Sequence, residues 1–321
     1  MARCNALQRL LHGNAGLCQN SNPKTTTFYH RHSGYERLPA RHCMNETATI
    51  SAFAAIVFYA LGFVQLVIAQ RQTAGAIEPA TGTMTSVKNI QQRVAWLGLT
   101  AVACHGWATF SALVTDAGID LALVHVCNYI AVVMVAVVAL ANSRIPVISV
   151  NLLLFPIAVI NSLALLVIEP GNSTRLAIDS AQSAHIILSL TAYAGLMTAA
   201  LQSLLLAFQD KQLQRLDTGF YRMLPALETM ERLLIAMLWI GTVLLSLAIF
   251  TGLLFLDDMF AQRVAHHTVL TTLSWLIYVA FLLGHHVLGW RGITAVRWNL
   301  SAFGLLLLGY VGSKFVLEYL V

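Results

Sequence analysis

The sequence predicts an all-α, polytopic membrane protein with about eight transmembrane helices. Of the 321 residues, 58% are hydrophobic and only 10% are charged. Apolar stretches long enough to cross a bilayer recur along the chain, since about 20 residues suffice for one span. Lone strands cannot satisfy their backbone hydrogen bonds in lipid, so helices are the expected elements and β-structure should be nearly absent.

The first 43 residues differ in character from the rest of the chain. They hold six Lys or Arg and one acid, Glu36, and they lack the apolar core of a secretory signal. The remaining residues carry 13 bases and 13 acids. The net charge of +5 therefore resides in this segment and does not indicate nucleic-acid binding. We interpret residues 1–43 as a disordered extension or an overextended reading frame, with Met44 as the hypothetical native start.

Eight apolar segments from residue 48 onward are predicted to span the membrane. Asp120 precedes the third and Pro146 opens the fourth, and both residue types favour helix starts. Pro156 lies inside the fourth segment and is expected to kink it. The charged loop 209–232 is predicted to hold a short amphipathic helix ending near Arg232. The predicted spans are 48–69, 93–115, 120–141, 145–168, 183–208, 233–256, 267–288 and 298–320.

The charges of the loops predict the orientation in the membrane. The loops after spans one, three, five and seven contain ten Lys or Arg, whereas the opposite side contains three. Because positively charged loops remain in the cytoplasm, both termini are predicted to lie outside it. The basic segment 1–43 would then lie on the side that positive charge disfavours, which is a second argument against its presence in the native protein.

Seven histidines lie within the predicted spans or at their ends. Ionisable side chains are costly in a bilayer, and imidazole is a strong ligand for iron and other metals, so each of the seven raises a functional question. No C-x-x-C pair, Walker loop, HExxH or G-x-S-x-G motif accompanies them, so the sequence favours a role without catalysis. The seven are His105, His125, His185, His266, His267, His285 and His286.

The predicted topology gives each histidine a depth. His185 and His267 open spans at the outer face, and His285 lies near the cytoplasmic end of span seven. His267 and His285 are separated by 18 positions, or about 27 Å of helix, so outer and inner histidines cannot share one metal. His105 near mid-membrane and His125 nearer the outer face are each compatible with interhelical hydrogen bonding instead of ligation.

Two histidines remain as the preferred ligands, His185 and His285. His286 points about 100° away from its neighbour around the helix, so only one of that pair is expected to face a given pocket. His266 and His267 follow a charged loop, and solvated loop histidines are the simpler interpretation of both.

Several short motifs then carry a family resemblance. The most specific is the stretch Gly284–Gly292, which contains Gly-His-His and Gly-Trp-Arg-Gly. From residue 48 to residue 320 the chain resembles the CcsA-like membrane proteins of the cytochrome c assembly family, and more closely the shorter YpjD/HemX-type inner-membrane proteins. The other motifs are Ala184-His185-Ile186, Ser189-Leu190, Tyr193-Ala194, Thr251-Gly252, Trp275-Leu276-Ile277-Tyr278 and Gly309-Tyr310-Val311-Gly312.

This resemblance implies haem as the cofactor and the bacterial inner membrane as the location. His185 matches a histidine that ligates haem at the outer face, and His285 matches an intramembrane histidine that binds haem on its way outward. Fuller family members carry a tryptophan-rich haem segment between spans six and seven, but residues 256–267 contain no Trp here. Their second external histidine is also missing, which leaves His266 or His267 as the substitute.

The resemblance therefore implies a haem-binding accessory of cytochrome c assembly and not a full synthase. Its partners would be the lipid bilayer, haem and other proteins of cytochrome c assembly or the haem pathway. One alternative is a HemX-type regulator of tetrapyrrole synthesis that acts through its cytoplasmic loop. Another is a transporter or a membrane scaffold, although no convincing internal repeat supports a transporter.

Overall fold

The computed structural model describes residues 46–75, 81–115, 118–142, 150–168, 175–176, 180–214, 226–255 and 265–312. These residues form eight α-helices, and the last of them continues into a π-helical turn, Leu308–Gly312. The helices are α1 (Glu46–Gly75), α2 (Thr81–Leu113), α3 (Leu123–Asn142), α4 (Asn151–Val167), α5 (Ser180–Gln214), α6 (Leu227–Phe255), α7 (Ala265–Leu288) and α8 (Ile293–Leu307). The basic segment 1–43 lies outside the described residues.

Each predicted span overlaps one of these helices, so the all-α membrane class is confirmed. Six of the helices are long and apolar enough to cross a bilayer, and α4 is a shorter apolar helix that contains Pro156. Helix α2 is not among the six, and its first turns are polar. Large apolar side chains such as Leu140 and Val287 are 72% and 73% exposed, as expected of surfaces that face lipid.

The structure corrects the predicted organisation of the loop between spans five and six. Helix α5 continues to Gln214 and α6 begins at Leu227, so Arg232 belongs to the first turns of α6 and not to a separate amphipathic helix. Its Nη2 atom lies 3.0 Å from Glu228 Oε1, an i,i+4 pair that supports a helix in its polar first turns. Residues 215–225 lie outside the described part of the chain.

A small antiparallel sheet is a minor exception to the expected lack of β-structure. Strand β2 (Gly118–Asp120) pairs with β1 (Val114–Thr115) on one side and with β3 (Arg175–Leu176) on the other. By the predicted topology these strands lie at the outer ends of the helices, where water can satisfy their free edges. The Oδ1 atom of Asp120 accepts a hydrogen bond of 3.0 Å from the Ala122 amide, directly before α3.

The principal contacts between helices divide the molecule into two rings of four. In the first ring α1, α2, α3 and α4 each pack on the next, and α4 returns to α1. In the second ring α5, α6, α7 and α8 repeat that order, and α8 returns to α5. The rings meet where α3 packs on α5, and there the hydroxyls of Tyr129 and Thr191 lie 2.9 Å apart. This repetition of helix order was not evident in the sequence.

Candidate functional site

His285 lies in the last turn of α7, half-buried, and its ring is oriented by a backbone carbonyl. Its Nδ1 atom is 2.6 Å from the carbonyl oxygen of Trp290. Because a carbonyl oxygen only accepts, Nδ1 must carry the proton. In the neutral imidazole the Nε2 atom then has a free lone pair, and among the described residues no group hydrogen-bonds to it. This tautomer is the one that binds a metal through Nε2.

The turn after α7 brings that carbonyl back over the histidine. Gly289 and Gly292 have φ angles of +69° and +57°. Residues that carry a Cβ rarely adopt such angles, so these glycines allow the chain to reverse sharply. The Trp290 indole packs directly on Gly284, and a Cβ at that position would collide with the ring. The glycines of the Gly284–Gly292 motif therefore have a physical role, because they hold the Trp290 carbonyl against His285.

Two contacts fix this turn to neighbouring helices. The indole rings of Trp290 and Trp298 stack with centroids 5.0 Å apart, which ties the turn to α8. The backbone N–H of Gly292, which precedes α8, donates a hydrogen bond of 3.0 Å to Glu231 Oε1 on α6. A carboxylate at the start of a helix also interacts favourably with the helix dipole. The carbonyl that orients His285 is thus held by three helices.

His185 lies near the start of α5, half-buried, and has the same tautomer for a similar reason. Its Nδ1 atom is 3.0 Å from Thr251 Oγ1. The Thr251 hydroxyl donates its only hydrogen to the carbonyl of Ala248, also over 3.0 Å, so it accepts from Nδ1–H. The Ser189 hydroxyl is 3.5 Å from Nε2, at the outer limit of a hydrogen bond. The Nε2 lone pair of His185 is therefore only weakly engaged.

The structure brings His185 and His285 into the same helix ring but leaves them at opposite ends of it. His185 lies near the first residue of α5, and His285 lies near the last residue of α7. His185 contacts Thr251 near the end of α6, and α7 begins soon after that end, with His267 as its third residue. The helix rise from His267 to His285, about 27 Å, therefore separates His285 from the end of the ring where His185 lies. Of the described residues, no three His, Cys, Asp or Glu side chains are grouped as they would be around a free metal ion.

His105 is buried and both of its ring nitrogens are occupied. Asn128 donates from Nδ2 to the Val124 carbonyl, so its Oδ1 accepts from His105 Nε2–H over 2.9 Å. The Tyr59 hydroxyl lies 3.4 Å from Nδ1 and can donate to it. The histidine thereby links α1, α2 and α3, which is the interhelical role considered for it from the sequence. Ligation would require one of these bonds to break.

The two remaining low-ranked candidates lie at equivalent positions of the two rings. His125 is the third residue of α3, and its Nδ1 lies 3.7 Å from Asp120 Oδ1. His267 is the third residue of α7, and its ring meets Tyr310 edge-on with centroids 5.8 Å apart. His286 is exposed. The side chain of His266 and residues 256–264, where the tryptophan-rich segment is missing, lie outside the described residues.

The donor set at His185 and His285 fits haem. Each position offers one neutral imidazole with its Nδ1 proton committed to the protein, the form in which histidine serves as an axial ligand. Haem would bring its own porphyrin nitrogens as ligands, so one imidazole at each level would be sufficient to hold it. Sequence reasoning identified both histidines but assigned no role to Thr251 or to the Trp290 carbonyl, although both residues lie in the motifs that carry the resemblance.

Comparison with known proteins decides the family. The model of the cytochrome C assembly protein family matches residues 93–321. The chain belongs to this family. The match includes every candidate histidine and begins within α2, so α1 precedes it.

Curated relatives of the chain include inner membrane protein YpjD of Escherichia coli K12. It is 34% identical over 223 residues, which cover 67% of this chain and 83% of the relative. YpjD of E. coli O157:H7 matches with the same figures. An uncharacterized 28.8 kDa protein of Azospirillum brasilense is 34% identical over 140 residues, or 43% of this chain and 52% of that protein. No solved structure matches the chain.

Proposed function

We propose that this protein binds haem at two depths of the bacterial inner membrane and acts as a haem-handling accessory in cytochrome c assembly. His285 would hold the iron near the cytoplasmic face, and His185 would hold it at the outer face. One observation carries the proposal. Both imidazoles donate Nδ1–H to the protein and leave Nε2 for a ligand.

The surroundings of the two histidines differ in a way that suits two roles. The Nδ1 proton of His285 is bonded to a backbone carbonyl at 2.6 Å, in a turn that is fixed to α6 and α8. The Nδ1 proton of His185 is bonded to a side-chain hydroxyl at 3.0 Å, and Ser189 also approaches its Nε2. The inner imidazole is thus held more rigidly, and the outer imidazole has a weak competitor for its lone pair.

The location and the limits of the role rest on the comparisons and on the sequence. The name of the E. coli relative places that protein in the inner membrane, and the loop charges favour both termini outside the cytoplasm. The absence of tryptophan from residues 256–267 argues against the haem-presenting platform of a full synthase. When bound, haem would supply the iron and the porphyrin, whereas the chain binds it, orients the imidazoles and shields the apolar faces.

The absorbance spectrum of the protein purified in detergent tests this proposal. The wild type is expected to show a Soret band that weakens in His185→Ala and in His285→Ala. His286→Ala is the matched control, since His286 is the exposed neighbour of His285. A colourless wild type that also fails to shift the spectrum of added haemin would contradict the proposal and favour the regulatory alternative.

A further inference from the structure

We propose that Arg291 binds a carboxylate of the ligand at His285, so that the inner site recognises an anionic porphyrin and not the macrocycle alone. This inference rests on the proposed function, and it adds the acidic edge of the ligand to the imidazole–iron contact. Haem is suited to such a contact because its apolar ring carries two propionate groups at one edge.

Covalent geometry places Arg291 next to the inner site. The carbonyl of Trp290 accepts the Nδ1 proton of His285 at 2.6 Å, and the amide nitrogen of Arg291 is bonded to that same carbonyl carbon. Glu231 holds the following residue, Gly292, through its backbone N–H. The backbone of Arg291 is therefore fixed between two anchored groups, while its side chain is exposed.

Two carboxylates, those of Glu231 and Asp210, lie near the turn that carries Arg291. Residues 265–312, which include all of α7 and α8, contain no Asp or Glu. Glu231 accepts a hydrogen bond from Gly292, and Asp210 on α5 accepts one from Gln214 at 3.0 Å. Within the described residues no carboxylate pairs with Arg291, whereas Arg232 on the same side of the membrane is bonded to Glu228 at 3.0 Å.

The chemistry favours a carboxylate at this position. A guanidinium presents a planar fork of donors that matches a carboxylate with two parallel hydrogen bonds, and such charge-assisted bonds are stronger than neutral ones. At the edge of the bilayer the pair is less screened by water than at a fully solvated surface. His285 would then fix the iron, and Arg291 would fix the direction in which the acidic edge of the ring points.

The experiment compares haemin with its dimethyl ester, which has the same ring and iron but no free carboxylates. Full-length protein in detergent is titrated in a His185→Ala background, so that only the inner site is observed. Arg291→Gln is expected to weaken haemin binding by about tenfold, the effect of one charge-assisted hydrogen bond. The affinity for the dimethyl ester should change by less than about twofold, because the ester has no free carboxylate for Arg291 to bind.

The control variants separate this role from a structural one. Arg232→Gln removes an equal charge from the same face and should leave the affinity for both ligands unchanged. Arg291→Lys should keep part of the preference for haemin, because it keeps the charge but loses the planar fork. Equal weakening of both ligands by Arg291→Gln would overturn the inference, as would no weakening of haemin. If His285→Ala leaves haemin binding unchanged in this background, the proposed function itself fails, and this inference with it.

Discussion

The tautomer of each imidazole is the residue-scale property on which the account depends. A histidine in a helix bundle can be a structural link or a ligand, and the partner of each ring nitrogen distinguishes the two. His105 has partners at both nitrogens, whereas His185 and His285 each have one strong partner, at Nδ1. The groups that orient metal-bound histidines commonly affect affinity almost as much as the histidine does.

Thr251 provides a direct test of this reasoning at the outer site. Thr251→Val keeps the shape of the side chain but removes the hydroxyl that accepts from His185 Nδ1–H, so the imidazole loses one of the groups that orient it. We expect the affinity for haemin to fall by about tenfold, the lower end of the effect of residues that orient a ligating histidine, because the Ala248 carbonyl also contacts the His185 ring. Haemin titration in a His285→Ala background measures it, with Thr251→Ser as the control that restores the hydroxyl. Equal affinity in the Val and Ser variants would show that Thr251 does not orient the ligand.

Sequence reasoning reached the histidines but not their partners, and the reason is physical. His185 and His285 were recognisable from intramembrane polarity and from the motifs around them. The Thr251 bond connects positions 66 residues apart, and no periodicity predicts such a contact. The Trp290 carbonyl reaches His285 only because two glycines with positive φ reverse the chain. Every residue has a backbone carbonyl, so the residue types do not reveal which one accepts this hydrogen bond.

At the scale of elements, hydropathy was a sufficient guide to the helices but not to their ends. Lipid-facing and core-facing residues are both apolar, so each span appears as one continuous run. Helices α6 and α8 begin earlier than predicted, at Leu227 and Ile293. The Arg232–Glu228 ion pair stabilises the polar first turns of α6, and the Glu231 carboxylate stabilises the start of α8. The three strands, of two or three residues each, were too short for any pattern to reveal.

The contact between α5 and α6 depends on close approach at a glycine. A Cβ at Gly241 would lie 2.6 Å from Leu196 Cδ2 and 2.8 Å from its Cγ, so Gly241→Ala forces the helices apart or the leucine out of place. We expect a loss of about 1–3 kcal/mol of stability, the usual cost of overpacking. The loss should be measured by thermal unfolding in detergent.

Gly304→Ala on α8 is the matched control for this substitution. Nothing lies within 4 Å of a Cβ at that position, so the same methyl group meets open space. The control should unfold at the wild-type temperature or above it, since alanine favours helix more than glycine does. If the two alanine variants unfold at the same temperature, the close contact between α5 and α6 does not exist as described.

At the scale of the whole molecule, the structure has an order that the sequence did not disclose. The two four-helix rings have the same cycle of contacts, yet no internal repeat was recognised among the residues. On a surface that faces lipid, one apolar residue type can replace another without changing how the helices are arranged. Two halves with the same helix arrangement can therefore differ in sequence. The two histidines proposed as haem ligands both belong to the second ring.

The predicted topology can be tested on the intact protein. Single cysteines placed between Gln214 and Leu227 should be labelled by a membrane-impermeant thiol reagent only after the inner membrane is opened, because the ten Lys and Arg counted on that side favour the cytoplasm. Cysteines in the loop between α6 and α7 should be labelled in intact spheroplasts. The background for both is a variant without the native cysteines. Labelling of the segment between Gln214 and Leu227 from outside would reverse the assignment and exchange the depths of His185 and His285.

The central claim is that the chain has two separate imidazole sites at two depths. Titration with haemin tests this claim most directly. We expect two haem groups per wild-type chain, one in His185→Ala, one in His285→Ala and none in the double variant. The His286→Ala control should bind two. A wild type that binds a single haem, lost equally in either single variant, would mean that the two histidines act on one site and would contradict the account.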